Sequence, residues 1–183
     1  MNPYIVKSIE RFEKLLNLQF TDGQKEVLYE LKNYSTQFFR YVDKRGTGKS
    51  YAMALYVLDK MLFNSNRKIV VTAPSFRQSK IIFSYMQQIW DHSNLLGLMS
   101  FKTFLSSDKA EIEINDNICS FLPLSNGEKI RGLRPNILCC DEAHIIDRET
   151  LETIYHGMAA ANGMPWEGAK NSYQILETQV NGL

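Results

Sequence analysis

The sequence predicts an α/β fold: a mainly parallel central sheet, helices on both of its faces, and a short antiparallel addition. Three observations predict it. Two compact apolar runs, Lys68-Ile69-Val70-Val71-Thr72-Ala73 and Asn136-Ile137-Leu138-Cys139-Cys140, lack the polar alternation of a half-wetted strand and read as strands buried on both faces. Segments with apolar residues at helical spacing alternate with the strand candidates, the pattern of strand–helix–strand units. Two further runs, Glu111–Ile114 and Cys119–Leu122, flank Asn115-Asp116-Asn117, residue types that suit a hairpin.

Taken in order, Ile5, Ile9, Phe12, Leu15 and Leu16 recur at helical spacing and predict an amphipathic helix over residues 4–17. Thr21 is a candidate N-cap for a second helix carrying Val27, Leu28 and Leu31. Gln37–Val42 is rich in aromatic and branched side chains, predicts a strand, and runs straight into Arg45-Gly46-Thr47-Gly48. Ala52, Met53, Leu55, Tyr56, Leu58, Met61 and Leu62 then predict a largely apolar helix. Pro74 closes the strand over residues 68–73, and Ser75 can cap a helix that carries Ile81, Ile82, Tyr85, Met86 and Ile89. After the strand ending at Cys140 comes a helix near residues 148–156, and Gly157–Asn171 reads as an irregular loop. Tyr173–Leu176 is a last strand candidate.

Composition bounds the function classes. A length of 183 residues with 44% hydrophobic and 22% charged residues suits one domain with a true core, and excludes a disordered tail or a coiled coil. The net charge of +1 provides no global basic field, so any nucleic-acid contact must come from a local patch. Cys119, Cys139 and Cys140 lack metal-ligand spacing and read as buried reduced thiols. No apolar stretch is long enough to cross a bilayer and the N-terminus does not resemble a signal peptide. A soluble intracellular protein is the expectation.

The chemistry is carried by two segments. Asp43-Lys44-Arg45-Gly46-Thr47-Gly48-Lys49-Ser50 fits G-x-x-x-x-G-K-[ST] at its end, between a strand and an apolar helix. In such a loop the backbone N–H groups wrap phosphates at a helix N-terminus, and Gly46 and Gly48 let the backbone approach closely. Lys49 would bridge the terminal phosphates and Ser50 would bind Mg²⁺. The first position is Asp43 rather than Gly. A carboxylate about 4 Å from a phosphate costs roughly 1–4 kcal/mol per charge pair. Either Asp43 turns away, toward Lys44 or Arg45, or nucleotide binding is weakened.

Ile137-Leu138-Cys139-Cys140-Asp141-Glu142 is an apolar strand ending in two acids. In a parallel sheet its end lies at the same edge as the loop, so Asp141 can reach the Mg²⁺ and Glu142 can activate a water. Acidic pairs also cap helices; it is the order and spacing with Gly48-Lys49-Ser50 that make this one informative. The two segments together predict a P-loop nucleotide hydrolase that uses Mg²⁺.

Beyond the generic pair, the chain resembles the ATPase domain of the large terminase subunit, the DNA-packaging motor of tailed bacteriophages. The residues that carry this are Arg45 inside the loop, Thr72-Ala73-Pro74-Ser75-Phe76-Arg77-Gln78 after the second strand, and Gly127–Pro135 leading into Asp141-Glu142-Ala143-His144. Phe20-Thr21-Asp22-Gly23-Gln24 resembles the adenine-recognising glutamine motif. The resemblance implies a P-loop NTPase of the ASCE/RecA-like class with ATP and Mg²⁺ as cofactors, phosphate binding by Arg45, Gly46, Thr47, Gly48, Lys49 and Ser50, base recognition by Gln24, and Mg²⁺ on Ser50 and Asp141. It implies Glu142, Lys49 and Arg45 as catalytic residues, Arg45 stabilising charge on the γ-phosphoryl group. Arg77, Arg131 and Arg134 are candidates for an arginine acting on a neighbouring subunit's nucleotide. Leu176–Leu183 falls where the family has a Thr-rich coupling motif, of which Thr178 alone is retained.

The same resemblance implies double-stranded DNA, the portal and the small terminase subunit as partners, a homo-oligomeric ring, and a place in the host cytoplasm at the procapsid portal. Residues 1–183 then form one motor domain with a helical extension over about residues 1–20. The family's C-terminal nuclease is absent, so no DNA cleavage is expected. Asp141-Glu142-Ala143-His144 also spells a helicase signature, which leaves a DEAH-type helicase-like ATPase open, as is a catalytically weakened nucleotide-binding assembly module. His92, His144 and His156 are too scattered for a metal site, and Trp90 and Trp166 read as packing residues. Lys7, Arg11 and Lys14 form a solvated helix face.

Overall fold

The computed structural model describes residues 2–33, 38–124, 130, 135–161 and 174–180. Seven strands form one sheet: β1 (Phe38–Asp43), β2 (Lys68–Ala73), β3 (Phe101–Leu105), β4 (Ala110–Ile114), β5 (Asn117–Pro123), β6 (Ile137–Cys140) and β7 (Gln174–Val180), in the spatial order β1-β7-β6-β2-β5-β4-β3. Pairing is parallel from β1 through β5 and antiparallel from β5 to β3. The expected α/β class holds, and the antiparallel part is larger than a hairpin. Phe101–Leu105, unmarked in the sequence because its residues are mostly exposed, adds an edge strand.

The α-helices whose bounds lie within the described residues are α1 (Pro3–Leu16), α2 (Asp22–Lys32), α3 (Lys49–Phe63), α4 (Phe76–Asp91) and α5 (Arg148–Ala161). Alternation along the strands assigns their faces. Ile137 and Cys139 of β6 enter the core shared with the first four helices, whereas Leu138 and Cys140 enter a second core with Leu151, Ile154 and Tyr155 of α5. Helices therefore cover both faces. The third helix is buried on nearly all sides, as its continuous apolar composition requires.

The N-caps read at Thr21 and Ser75 hold, each in a capping box with the glutamine three residues on, and Asn2 caps α1 in addition. Asn117 corrects the hairpin reading. The turn is Asn115-Asp116, and Asn117 is a buried strand residue whose Nδ2 donates to the carbonyls of Met61 and Asn64, 2.8 Å each, while its Oδ1 accepts from Arg67 N at 2.7 Å. Helix α5 continues to Ala161, so the loop expected from Gly157 does not begin there; its later part, with Trp166, lies outside the described residues. The last strand runs to Val180 rather than Leu176. Trp90 is buried and stacks on Phe101 at 4.6 Å, a packing role. All three cysteines are free and buried, and burial pushes each thiol above its ordinary pKa. Lys7, Arg11 and Lys14 are exposed. Among the described residues no helix is long and apolar enough to cross a membrane.

Candidate active site at the carboxyl edge of the sheet

The phosphate-loop strand β1 and the acid strand β6 are not neighbours: β7 lies between them. All three are parallel, so their carboxyl ends open on one edge, where ligands of open α/β sheets bind. The Asp43–Ser50 loop leaves β1 at that edge and enters α3. Gly46 and Gly48 have φ of 82° and 86°, in the left-handed region that side chains avoid, and a Cβ at Gly46 would meet nothing within 4 Å. Among the described residues no side chain caps α3, so its first N–H groups remain donors toward the loop. Lys49 is almost fully buried, and its ammonium donates to the carbonyls of Lys44 at 2.6 Å and Asp43 at 3.1 Å, which holds it across the loop.

Asp43 turns into its own loop. Its Oδ1 accepts from the Lys44 amide at 2.7 Å and its Oδ2 from the Tyr41 hydroxyl at 3.2 Å. The Lys44 N–H, then the Thr47 and Tyr41 hydroxyls and the charge of Lys49, hold the Asp43 carboxyl below its ordinary pKa against a smaller opposing effect of burial. Burial and the adjacent carboxylate raise the Tyr41 phenol in turn. The expected turn toward Lys44 is realised through the backbone amide rather than the side chain. Arg45 is exposed and makes no ion pair with Asp43.

The two segments meet. Ser50 Oγ donates to Asp141 Oδ2 at 2.8 Å, and the Thr178 hydroxyl on β7 donates to Asp141 Oδ1. The same Thr178 oxygen accepts from the Glu142 amide at 3.1 Å. One hydroxyl thus holds the Asp141 carboxylate and the Glu142 backbone. The Asp141 amide donates to Thr72 O of β2 at 2.8 Å, which fixes the chain as it leaves β6. Glu142 has φ 54° and ψ 42°, a left-handed backbone that a side chain adopts at a cost and that concentrates at functional sites. Its Oε2 lies 3.5 Å from His144 Nδ1, a buried nitrogen without a hydrogen-bond partner among the described residues.

Gln24 reaches the site through the capping box of α2. Its Oε1 accepts from Thr21 N at 2.9 Å, and its Nε2 lies 4.0 Å from where a Cβ on Gly48 would stand. Arg77 is exposed in the first turn of α4. Arg131 and Arg134, with most of Gly127–Pro135, lie outside the described residues, as do Asn181–Leu183. Among the described residues no three His, Cys, Asp or Glu side chains form a metal-sized group. Ser50 and Asp141 instead offer two adjacent hard oxygens, a donor set that suits a Mg²⁺ completed by phosphate oxygens and water. Tyr41 carries no motif, and the placement of β7 between β1 and β6 is a non-local pairing that the order of residues does not encode.

A family model described as the helicase domain of RNA cytidine acetyltransferase NAT10/TcmA matches residues 42–174. No curated protein matches the chain by sequence. Among solved structures, the large terminase ATPase domain of Thermus phage P74-26 is similar at TM-score 0.67 and 14% identity, over 95% of this chain and 70% of that one. The large terminase of bacteriophage HK97 gives TM-score 0.67 at 16% identity, over 92% of this chain and 37% of that one. The large terminase of a thermophilic bacteriophage, in complex with ADP, gives 0.61 at 12% identity, over 88% of this chain and 39% of that one. At these identities the likeness is one of fold, and the chain spans well under half the length of the latter two proteins.

Proposed function

Because the chain belongs to the family of the RNA cytidine acetyltransferase NAT10/TcmA helicase domain and folds like the phage large terminase ATPase domains, we propose that it is an ATP-hydrolysing motor domain that works along nucleic acid. The observation that carries the reading is the hydroxyl–carboxylate chain from Ser50 through Asp141 to Thr178 and the Glu142 amide. It joins a phosphate loop to an acid pair across three strands.

In this reading Gly46, Thr47, Gly48 and Lys49 bind the phosphates and Gln24 faces the base. Ser50 and Asp141 hold Mg²⁺, which when bound offsets the phosphate charge. Glu142 takes a proton from the attacking water, and Arg45, exposed and without an ion pair to Asp43, stabilises the transferred phosphoryl group. Complexes of the thermophilic phage's terminase with ADP and with ATP-gamma-S support an adenine nucleotide as ligand. The terminase likeness further supports packaging of double-stranded DNA as the work done. The portal and the small terminase subunit would be its partners, in a ring docked at the procapsid in the host cytoplasm, with residues 1–183 acting as one motor domain.

A second reading is favoured by two specific observations: the helicase-domain match over residues 42–174 and the helicase-like Asp141-Glu142-Ala143-His144. It makes the chain the motor of a strand-separating or RNA-remodelling protein. ATPase activity of the wild type against Glu142→Ala tests the common core, and hydrolysis that survives Glu142→Ala would sink it. Stimulation by duplex DNA favours packaging. Stimulation by single strands or RNA favours the helicase reading.

A further inference from the structure

Glu177 on β7 is fully buried, carries a carboxylate, and has no part in the site described above. Among the described residues three donors converge on it. Arg40 of β1, its partner in the parallel register, donates from Nε to Oε2 at 2.9 Å. From α5, Arg148 Nη1 donates to Oε1 at 2.8 Å and the Tyr155 hydroxyl to the same oxygen at 2.5 Å. Cys140 of β6 stands opposite on the other side, and its Sγ lies 3.9 Å from the Tyr155 hydroxyl. The Arg148 guanidinium also sits over the Tyr155 ring, 5.7 Å from its centre. One carboxylate thus ties β7 to β1 on its flank and to α5 above it.

A buried carboxylate that loses one of its partners loses part of the compensation for its desolvation, so such a cluster has a strongly preferred geometry. Its neighbour in sequence is Thr178. Successive strand residues point to opposite faces, so Glu177 faces α5 while Thr178 faces α3 and the acid pair. A displacement of β7 that strains the cluster on one face must also move the Thr178 hydroxyl on the other.

We propose that Glu177 is a positioning residue: by locking β7 between β1 and α5 it sets the Thr178 hydroxyl that holds the Asp141 carboxylate and the Glu142 amide. The kinetic consequence rests on the proposed ATPase function; the geometric claim does not.

The experiment therefore has two readouts on the 183-residue chain, wild type and Glu177→Gln, under conditions where both remain folded. In amide hydrogen exchange, Glu177→Gln speeds exchange at the Glu142 amide by about tenfold or more, while amides in α1 and α4 keep their wild-type protection. In steady-state ATP hydrolysis, Glu177→Gln lowers kcat by about tenfold with KM within about twofold, and the double variant with Thr178→Val is no slower than Thr178→Val alone. An unchanged Glu142 amide in Glu177→Gln overturns the proposal, and so does a double variant whose losses multiply. If wild type shows no hydrolysis that Glu142→Ala abolishes, the ATPase reading falls while the exchange result still decides the role of Glu177. If Glu177→Gln does not fold, Tyr155→Phe and Arg40→Gln each remove one donor. Each is then expected to speed exchange at Glu142 in the same direction by a smaller factor, and wild-type exchange in both overturns the proposal.

Discussion

Replacing Thr178 by Val removes the hydroxyl at the centre of the site while keeping the side-chain shape. Thr178 is 1% exposed and Asp141 5%, so water cannot readily replace the lost partner. Two interactions go: the hydroxyl's donation to Asp141 Oδ1 and its acceptance from the Glu142 amide. A hydrogen bond to a charged group contributes roughly 1.5–3 kcal/mol and a neutral one about 1 kcal/mol, so the loss is about 2–4 kcal/mol with no cavity term. Urea unfolding reads this directly. With a slope of roughly 2 kcal/mol per molar, the midpoint falls by about 1–2 M and the slope is unchanged. Thr178→Ser keeps the hydroxyl, loses only a methyl, and falls by about half as much or less. A Thr178→Val midpoint equal to wild type, or a Thr178→Ser loss as large as that of Thr178→Val, would refute the reasoning.

Three further outcomes are expected. The Asp43 carboxyl, held in the folded loop below its ordinary value of 3.8, stabilises the fold above that value, and the contribution fades as pH falls through the lowered folded pKa. The melting-temperature gap between wild type and Asp43→Asn should therefore be constant from neutral pH to about pH 5 and close below pH 3.8. Glu142→Gly relieves the left-handed backbone and should raise stability by about 0.5–1 kcal/mol, after the entropy of a glycine in the unfolded chain is subtracted, while abolishing ATP hydrolysis. Thermal melting beside a phosphate-release assay checks both halves. Asn117→Ala leaves two carbonyls and an amide without their buried partner and should cost about 2–4 kcal/mol, measured by the same urea titration, with the nucleotide site unaffected.

Much of the site is legible in the sequence because its chemistry is local. Gly48-Lys49-Ser50 announces a strand-to-helix turn by composition alone, and Gly46 and Gly48 do adopt the backbone that only glycine enters freely. Thr21 and Ser75, followed three residues later by glutamine, form the capping boxes their spacing implies. The edge strand Phe101–Leu105 is hidden in the sequence because Lys102, Thr103, Phe104 and Leu105 are all exposed, so no buried pattern marks it. Asn117 looks like a turn residue by type, yet its amide is spent on three backbone partners that come from other segments.

From residue order alone come the alternation of strands and helices, the phosphate loop, and the acids that end β6, because each depends on neighbours a few positions away. Tertiary structure decided which strand lies between the loop and the acids. Hydrogen bonding puts β7 there, and that brings Thr178 from far along the chain onto both Asp141 and Glu142. It also turned Glu177, an acid that no motif marks, into a carboxylate buried under two arginines and a tyrosine. Strand order is a choice among non-local pairings that nearest-neighbour propensities do not encode, so such convergences exist only once the sheet has formed.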